Sequence, residues 1–86
     1  MRRNKHDIMA DMLVLAKAGV RKTRLVYGAN LNFSIVNKYL KKLTDENMMH
    51  EMDGTYFTTP KGEVYLTNYR TLLTSFGPDP TPNLTA

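Results

Sequence analysis

The amino-acid sequence predicts a mostly helical α+β domain, and three patterns indicate it. Apolar residues recur every three or four positions over most of the chain, which is the helical period. Residues 48–58 instead have the character of two short strands joined by an Asp-Gly pair. The helical period returns directly after Thr59-Pro60, a pair typical of a helix N-terminus. A chain of 86 residues has room for one such domain.

The first predicted helix covers residues 5–18. Asn4 is a suitable N-cap because its side chain can accept a hydrogen bond from a free backbone N–H, and Asp7 puts a negative charge in the first turn. Gly19 is a typical helix stop. The apolar stripe of this helix consists of Ile8, Met9, Met12, Leu13, Leu15 and Ala16.

Two further helices are predicted over residues 24–29 and 33–45. Thr23 is a candidate N-cap for the shorter helix, and Asn30 or Asn32 for the longer one. A short helix, a tight turn and a longer amphipathic helix are the parts of a helix-turn-helix. The apolar side of the longer helix holds Phe33, Val36, Tyr39, Leu40 and Leu43.

A β-hairpin is predicted directly after the third helix. Asp53-Gly54 is typical of a type I′ turn, because both positions of that turn need a positive φ. Residues 55–58 are rich in β-branched and aromatic side chains, which favours a strand. The predicted fold is therefore a winged helix-turn-helix with three helices, a two-stranded wing and a C-terminal helix.

The C-terminal helix, predicted over residues 60–75, carries an apolar seam richer than an outer helix of so small a domain needs. The seam follows a three-four-three spacing and consists of Leu66, Tyr69, Leu73 and Phe76. We predict that this seam forms a homodimer interface, so that residues 60–76 act as a dimerisation helix. The alternative is that the seam folds back onto the first helix. The Pro-rich residues 77–86 are predicted to be a disordered tail, which leaves the domain over residues 1–76.

Charge is distributed unevenly along the chain. The net charge is +4, but residues 1–43 hold ten Lys/Arg and two Asp, whereas residues 44–86 hold two Lys/Arg and six Asp/Glu. A basic half beside an acidic half indicates an oriented electrostatic face, for which nucleic acid is the usual partner. The alternative is a basic surface that serves solubility alone.

The outward side of the third helix carries the candidate groups for DNA contact. Lysine neutralises phosphates or reaches guanine acceptors, and asparagine can pair with adenine. The residues on this side are Ser34, Asn37, Lys38, Lys41 and Lys42. The alternative is the solvated polar face of an ordinary surface helix.

A second group of candidates surrounds the helix-turn-helix. Arg21, Lys22, Thr23 and Arg24 lie at the start of the second predicted helix, where cations and free backbone N–H groups can hold phosphate, and Asn32 lies at the start of the third. The wing offers no Lys or Arg, so we expect weak DNA contact through the Gly54 backbone and Thr55, or none. Asp53 would repel phosphate, which favours a wing tip held off the DNA. The methionines Met9, Met12, Met48, Met49 and Met52 are interpreted as core filler.

Other classes of protein find little support in the sequence. The chain has no cysteine, and its two histidines, His6 and His50, are not paired at a metal-ligand spacing, so no metal or cofactor is expected. The sequence contains no Gly-rich phosphate loop and no nucleophile paired with a base, so it indicates neither an enzyme nor a small-molecule substrate. No apolar run approaches the roughly 18 residues of a membrane span. We expect a cytoplasmic protein.

Four segments together resemble the archaeal winged-helix family typified by the Sulfolobus ten-a chromatin-associated proteins. They are residues 7–13, residues 21–33, Lys38-Tyr39-Leu40, and Tyr56 to Gly62. The resemblance covers about residues 4–76 and is most specific from Lys22 to Leu40. It implies a winged helix-turn-helix, DNA binding, no cofactor, and dimerisation through the C-terminal helix. The last helix here is shorter and the wing more acidic than is usual in that family.

The sequence therefore predicts a nucleoid-associated protein that binds double-stranded DNA. We expect a homodimeric transcriptional regulator whose recognition helix enters the major groove. One alternative is an architectural chromatin protein with little sequence preference. Another is a winged helix that serves as a protein–protein adaptor through its last helix and acidic wing.

Overall fold

The structure, a computed structural model, describes residues 4–76, with side chains to residue 72. Within this range the chain forms α1 Lys5–Leu15, β1 Val20–Arg21, α2 Lys22–Gly28, α3 Phe33–Asp45, β2 Met49–Met52, β3 Thr55–Thr58 and α4 Pro60–Phe76. The strands form one antiparallel sheet in the order β1-β3-β2. The predicted mostly helical α+β fold, with a wing after the third helix, is confirmed. The predicted tail over residues 77–86 lies outside the described residues.

Side-chain caps begin α1 and α3. Asn4 Oδ1 accepts the N–H of Asp7 at 2.9 Å while Asp7 Oδ2 accepts the N–H of Asn4 at 3.3 Å, which is a capping box. Asn32 Oδ1 accepts the N–H of Ile35 at 2.8 Å, so Asn32 rather than Asn30 caps α3. These caps replace hydrogen bonds that the first turn of a helix cannot make within itself.

α1 ends at Leu15, three residues before the predicted end. The carbonyl of Ala16 accepts the N–H groups of Gly19 at 3.1 Å and Thr58 at 3.0 Å, which ties the turn after α1 to β3. Gly19 has a φ of 96°, and a Cβ at this position would meet the ring of Phe57. The chain therefore leaves α1 at Leu15 and turns toward the sheet.

The strand β1 is absent from the sequence prediction. Val20 pairs with Tyr56 and Arg21 pairs with Thr55, so the wing has three strands instead of two. Arg21 is also the N-cap residue of α2 and makes no side-chain cap bond. Thr23 lies inside α2, and its predicted role as the N-cap is therefore wrong.

The hairpin turn has the predicted geometry. Asp53 and Gly54 have φ values of 52° and 81°, as a type I′ turn requires. Glu51 Oε2 accepts the N–H of Gly54 at 2.7 Å. The carboxylate of Glu51 is therefore engaged with the backbone of its own turn.

The wing and α4 meet in a close-packed junction. Thr59 Oγ1 accepts the N–H of Gly62 at 3.2 Å and donates to the carbonyl of Asn47 at 2.6 Å. One hydroxyl thus caps α4, as predicted, and joins the helix to the turn before β2. A Cβ at Gly62 would collide with the carbonyl of Met48 and the side chain of Thr58. Glycine at this position lets α4 lie directly on the base of the wing.

The core lies between the helices and the base of the wing. Its most deeply buried large side chains are Met12, Leu13, Leu25, Val36, Leu43 and Leu66. The methionines Met9, Met48 and Met49 are also buried, which confirms their predicted role, but Met52 is 56% exposed and is not core filler. Phe33 is 46% exposed, so its predicted burial is wrong as well.

α4 packs antiparallel on α1 through polar and apolar contacts. Lys17 Nζ lies 3.6 Å from Glu63 Oε1 near one end, and the hydroxyl of Tyr69 donates to Asp7 Oδ1 near the other. The burial of Leu66 closes the centre of this contact. These three contacts fix the direction of α4 relative to the domain.

A second hydrogen bond reinforces the contact between α1 and α4. His6 Nδ1 lies 2.9 Å from the hydroxyl of Tyr65, and the two rings stack with centroids 6.4 Å apart. Burial raises the pKa of the Tyr65 hydroxyl, and the negative charge of Asp7 raises it further. The contact between α1 and α4 therefore favours the neutral form of the Tyr65 hydroxyl.

These contacts bear on the predicted dimer seam. Leu66 is 2% exposed and belongs to the core of its own chain, so it is not available to a partner helix. Tyr69 packs against the same core and bonds to Asp7. For these two residues the alternative, a seam folded back onto α1, describes the structure. The side chains of Leu73 and Phe76 lie outside the described part of the chain.

Across residues 4–76, no helix combines the length and the hydropathy that crossing a lipid bilayer would require.

Candidate nucleic-acid interface

α3 divides cleanly into a buried side and an exposed side. Val36, Tyr39, Leu40 and Leu43 are buried against the core. The five predicted contact residues of this helix are all exposed, and they are Ser34, Asn37, Lys38, Lys41 and Lys42. The polar side of α3 is therefore available to a partner, as its spacing predicts.

A groove runs between α3 and the wing. Asn37, Lys41 and Thr44 line it from α3, and His50 and Glu51 line it from β2. Its other walls and floor include Lys22 from the start of α2, with Leu40, Met49 and Tyr56. Because residues three and four apart share one face of a helix, Asn37, Lys41 and Thr44 form a continuous row along the groove.

The lysines on α3 are held only loosely. Lys41 Nζ lies 3.1 Å from Asp45 Oδ2, but the two side chains are 79% and 62% exposed. Lys38 Nζ lies 5.4 Å from the centroid of the Tyr39 ring. Exposed ion pairs and cation–π contacts of this kind contribute less than about 1 kcal/mol each. Both ammonium groups can therefore exchange these contacts for phosphate at little cost.

The cations at the start of α2 lie around three depressions that share some of their lining residues. Lys22 lines the groove beside α3. Arg21, Lys22 and Thr23 line a smaller depression that reaches Gly54 at the tip of the wing. Arg21 and Arg24 line another depression, on the side of Leu15 and Gly19. Of the three predicted cations, only Lys22 also lines the groove of Asn37 and Lys41.

Arg21 changes the charge of the wing. The sequence predicts a wing without Lys or Arg, but β1 pairs with β3 and brings Arg21 opposite Thr55. The Nη1 atom of Arg21 lies 3.4 Å from the position that a Cβ on Gly54 would occupy. The wing tip therefore carries a guanidinium beside Gly54, while the carboxylate of Glu51 accepts a hydrogen bond from the turn backbone.

Sequence reasoning missed this placement of Arg21 because strand pairing over so long a separation has no local signal. The only trace is the change from an apolar Val20 to a charged Arg21, which is too short to be read as a strand period.

Within residues 4–76, no cluster of three or more His, Cys, Asp and Glu side chains is arranged to hold a metal ion.

Comparison with known proteins fits this geometry. The model of a family described as winged helix-turn-helix matches residues 2–75. The chain belongs to that family. The match includes all four helices of the described region except the last residue of α4, and all three strands of the wing.

Two relatives of this winged helix-turn-helix chain come from archaea, in agreement with the predicted archaeal resemblance. The solved structure of Sso10a-2, described as a DNA-binding protein from Sulfolobus solfataricus, has a TM-score of 0.76 and 28% identity, covering 85% of this chain and 81% of that chain. An uncharacterized protein of Methanocaldococcus jannaschii is 31% identical over 80 residues, which are 92% of this chain. The chain spans 38% of the length of that protein.

Proposed function

We propose that this winged helix-turn-helix protein binds double-stranded DNA by inserting α3 into the major groove. The observation that carries the proposal is the exposed row of Asn37 and Lys41 on the groove side of α3, with Lys22 beside it. The major groove of B-DNA is about 12 Å wide and admits one helix. The similarity to Sso10a-2, itself a DNA-binding protein, supports the same function.

The chemistry of each side chain suggests its role. Lys38, Lys41 and Lys42 would neutralise phosphates on the two sides of the groove, and Lys22 would hold the backbone from the start of α2. Asn37 has the donor and acceptor needed to pair with adenine. Three further predicted contact residues, Thr23, Asn32 and Ser34, are exposed at the starts of α2 and α3 and would supply hydrogen bonds to phosphate or base edges.

The wing would make a second contact through Arg21. A guanidinium at the wing tip can bind a phosphate or enter the minor groove, where positive side chains are favoured. This differs from the expectation that the acidic wing is held off DNA. The carboxylate of Asp53, which precedes Gly54 in the turn, would limit the strength of the contact.

A salt titration tests the proposal. We expect the Lys38→Ala/Lys41→Ala variant to bind a duplex of about two helical turns more weakly, with a slope of log K against log salt lower by about one to two. Lys61→Ala is the control, because Lys61 is an exposed lysine on α4 that does not line the groove. If the double variant kept the affinity and slope of the wild type, α3 would not be the DNA-binding helix.

We further propose that the protein acts on the nucleoid as a homodimeric transcriptional regulator. Tyr69 of α4 bonds to Asp7, which lies only two residues from the start of α1. Because α4 continues for seven residues beyond Tyr69, its last turns extend past this end of α1. Leu72 in that segment is 56% exposed, which supports pairing with a second α4. A two-fold dimer would present two α3 helices about 34 Å apart.

Sedimentation and competition separate the parts of this second proposal. The wild type is expected to sediment as a dimer at micromolar concentration and Leu72→Lys as a monomer, and a monomeric wild type would contradict pairing. A regulator should prefer a duplex selected from a random pool over unselected competitor by about a thousandfold or more. Equal binding to both would favour an architectural role.

A further inference from the structure

Phe33 has an exposure that its position in the apolar pattern does not explain. It is the first residue of α3 and falls on the three-four spacing of the buried side, yet 46% of it is exposed. Leu31 and Ile35, two residues to either side of it in sequence, are partly buried and pack against the core. The core contact at this end of α3 is thus made by its neighbours.

The position of Phe33 along α3 places this exposed ring next to the proposed DNA-binding residues. Phe33, Asn37 and Lys41 are four residues apart, so they follow one another along the same side of the helix. Asn37 and Lys41 line the groove, and Phe33 continues their row by one turn toward the N-terminal end. In helix-turn-helix proteins the N-terminal residues of the recognition helix are the ones that reach base edges.

We propose that Phe33 reads thymine by packing its ring against the 5-methyl group in the major groove. The proposal rests on the DNA binding proposed above and adds a sequence preference to it. Thymine is the base that presents a methyl group in the major groove, and a phenylalanine ring is one of the side chains suited to contact it. The row would then offer an apolar, an amide and a cationic contact at successive turns.

A duplex without thymine methyl groups isolates this contact. The probe is an alternating dA·dT duplex, compared with the same duplex carrying deoxyuridine in place of thymidine. Every base pair of the first duplex presents a methyl group, so the register of the protein on it does not matter. Loss of one buried methyl contact is expected to weaken wild-type binding about fourfold.

Variants assign the effect to Phe33. Phe33→Ala should bind the thymidine duplex about fourfold more weakly than the wild type and should not distinguish the two duplexes, whereas Phe33→Leu should retain part of the preference. Tyr27→Ala is the matched control, because Tyr27 is an aromatic residue on α2 that is 78% exposed. It should keep the wild-type preference for thymidine.

The outcomes distinguish this proposal from the one on which it rests. If Phe33→Ala kept the wild-type ratio between the duplexes, the role of Phe33 would be overturned while DNA binding stood. If the wild type bound neither duplex, both proposals would be overturned. A measurement on the wild type alone is independent of how the variants fold. Thymine methyl proton resonances should shift upfield in the complex through the ring current of Phe33, and unshifted methyl resonances would overturn the contact.

Discussion

α3 and α4 are both amphipathic helices, but they use their polar side chains in opposite ways. The outer side chains of α3 are exposed, and the internal partners of Lys38 and Lys41 are weak surface contacts. The polar groups of α4 that face α1 bond within the chain, as in the contact of Tyr69 with Asp7. The difference supports the proposal that α3 contacts DNA, whereas the side of α4 that faces α1 stabilises the fold. Substitutions in one helix should change binding, and those in the other should change stability.

The largest expected effect tests the α4 side of the comparison. Leu66→Ala should lower the free energy of unfolding by about 2–4 kcal/mol, because it removes a fully buried side chain and leaves a cavity. The affinity of the folded protein for duplex DNA should not change. Urea denaturation measures the first effect and fluorescence anisotropy the second. Val64→Ala, at an exposed position of the same helix, should change stability by less than about 0.5 kcal/mol, and equal losses in the two variants would contradict the assignment.

The second prediction concerns the cations that lead into α3. Lys22→Ala should weaken duplex binding about eightfold at 0.1 M salt, the loss expected for one phosphate contact. Arg24→Ala should change binding less than about twofold, because Arg24 lies on the side of Leu15 and Gly19. Thermal melting of the two variants should match the wild type, since both side chains are at the surface. A larger loss for Arg24→Ala than for Lys22→Ala would reverse the proposed orientation.

A gain of affinity forms the third prediction. Asp45→Asn removes the carboxylate that holds Lys41 Nζ at 3.1 Å and also removes a negative charge near the proposed phosphate path. Binding should become about two- to threefold tighter at low salt, as expected for release of one exposed ion pair. Repeating the titration in the Lys41→Ala background provides the control. If Asp45→Asn gave the full gain there, Asp45 would act on DNA and not through Lys41.

The smallest expected effect is a pH dependence of the stability that the contact between α1 and α4 provides. The folded protein holds the pKa of Tyr65 above its ordinary value of 10.0, so it binds this proton more tightly than the unfolded chain does. The resulting stability is fully present below pH 10.0 and is lost as the pH rises through the folded pKa. Urea denaturation between about pH 8 and pH 11 should therefore show a steeper loss for the wild type than for Tyr65→Phe. Parallel curves would mean that the seam does not stabilise the neutral hydroxyl.

The same two helices show what the sequence could and could not predict. The bounds of α3 and its exposed lysines follow from local patterns, and the structure agrees with them. The sequence left Asn30 and Asn32 as alternative caps, and the structure selects Asn32. The spacing of Leu66 and Tyr69 identified the apolar face of α4 equally well. It could not say whether that face meets α1 of its own chain or a second copy, because both partners satisfy the same periodicity.

Non-local contacts account for the other differences. β1 pairs with residues that lie 34 to 36 positions later in the chain, so neither the strand nor the position of Arg21 has a signal in its own neighbourhood. Phe33 satisfies the helical spacing but is 46% exposed, whereas Leu31 and Ile35 pack against the core, and a periodic pattern alone does not distinguish these positions. In both cases the function proposed for the residue depends on the part that sequence reasoning missed.

The two residues of β1 have a consequence for how this interface can change. Val20 is 8% exposed and Arg21 is exposed, because consecutive residues of a strand point to opposite sides. Adding or deleting one residue in the turn before them would send the charge inward and the valine outward, whereas a change of two residues would restore the arrangement. The arrangement is therefore kept only when the length of this connection changes by an even number of residues. Substitutions can change the side chain at the wing tip far more easily than insertions or deletions can change the number of residues that lead to it.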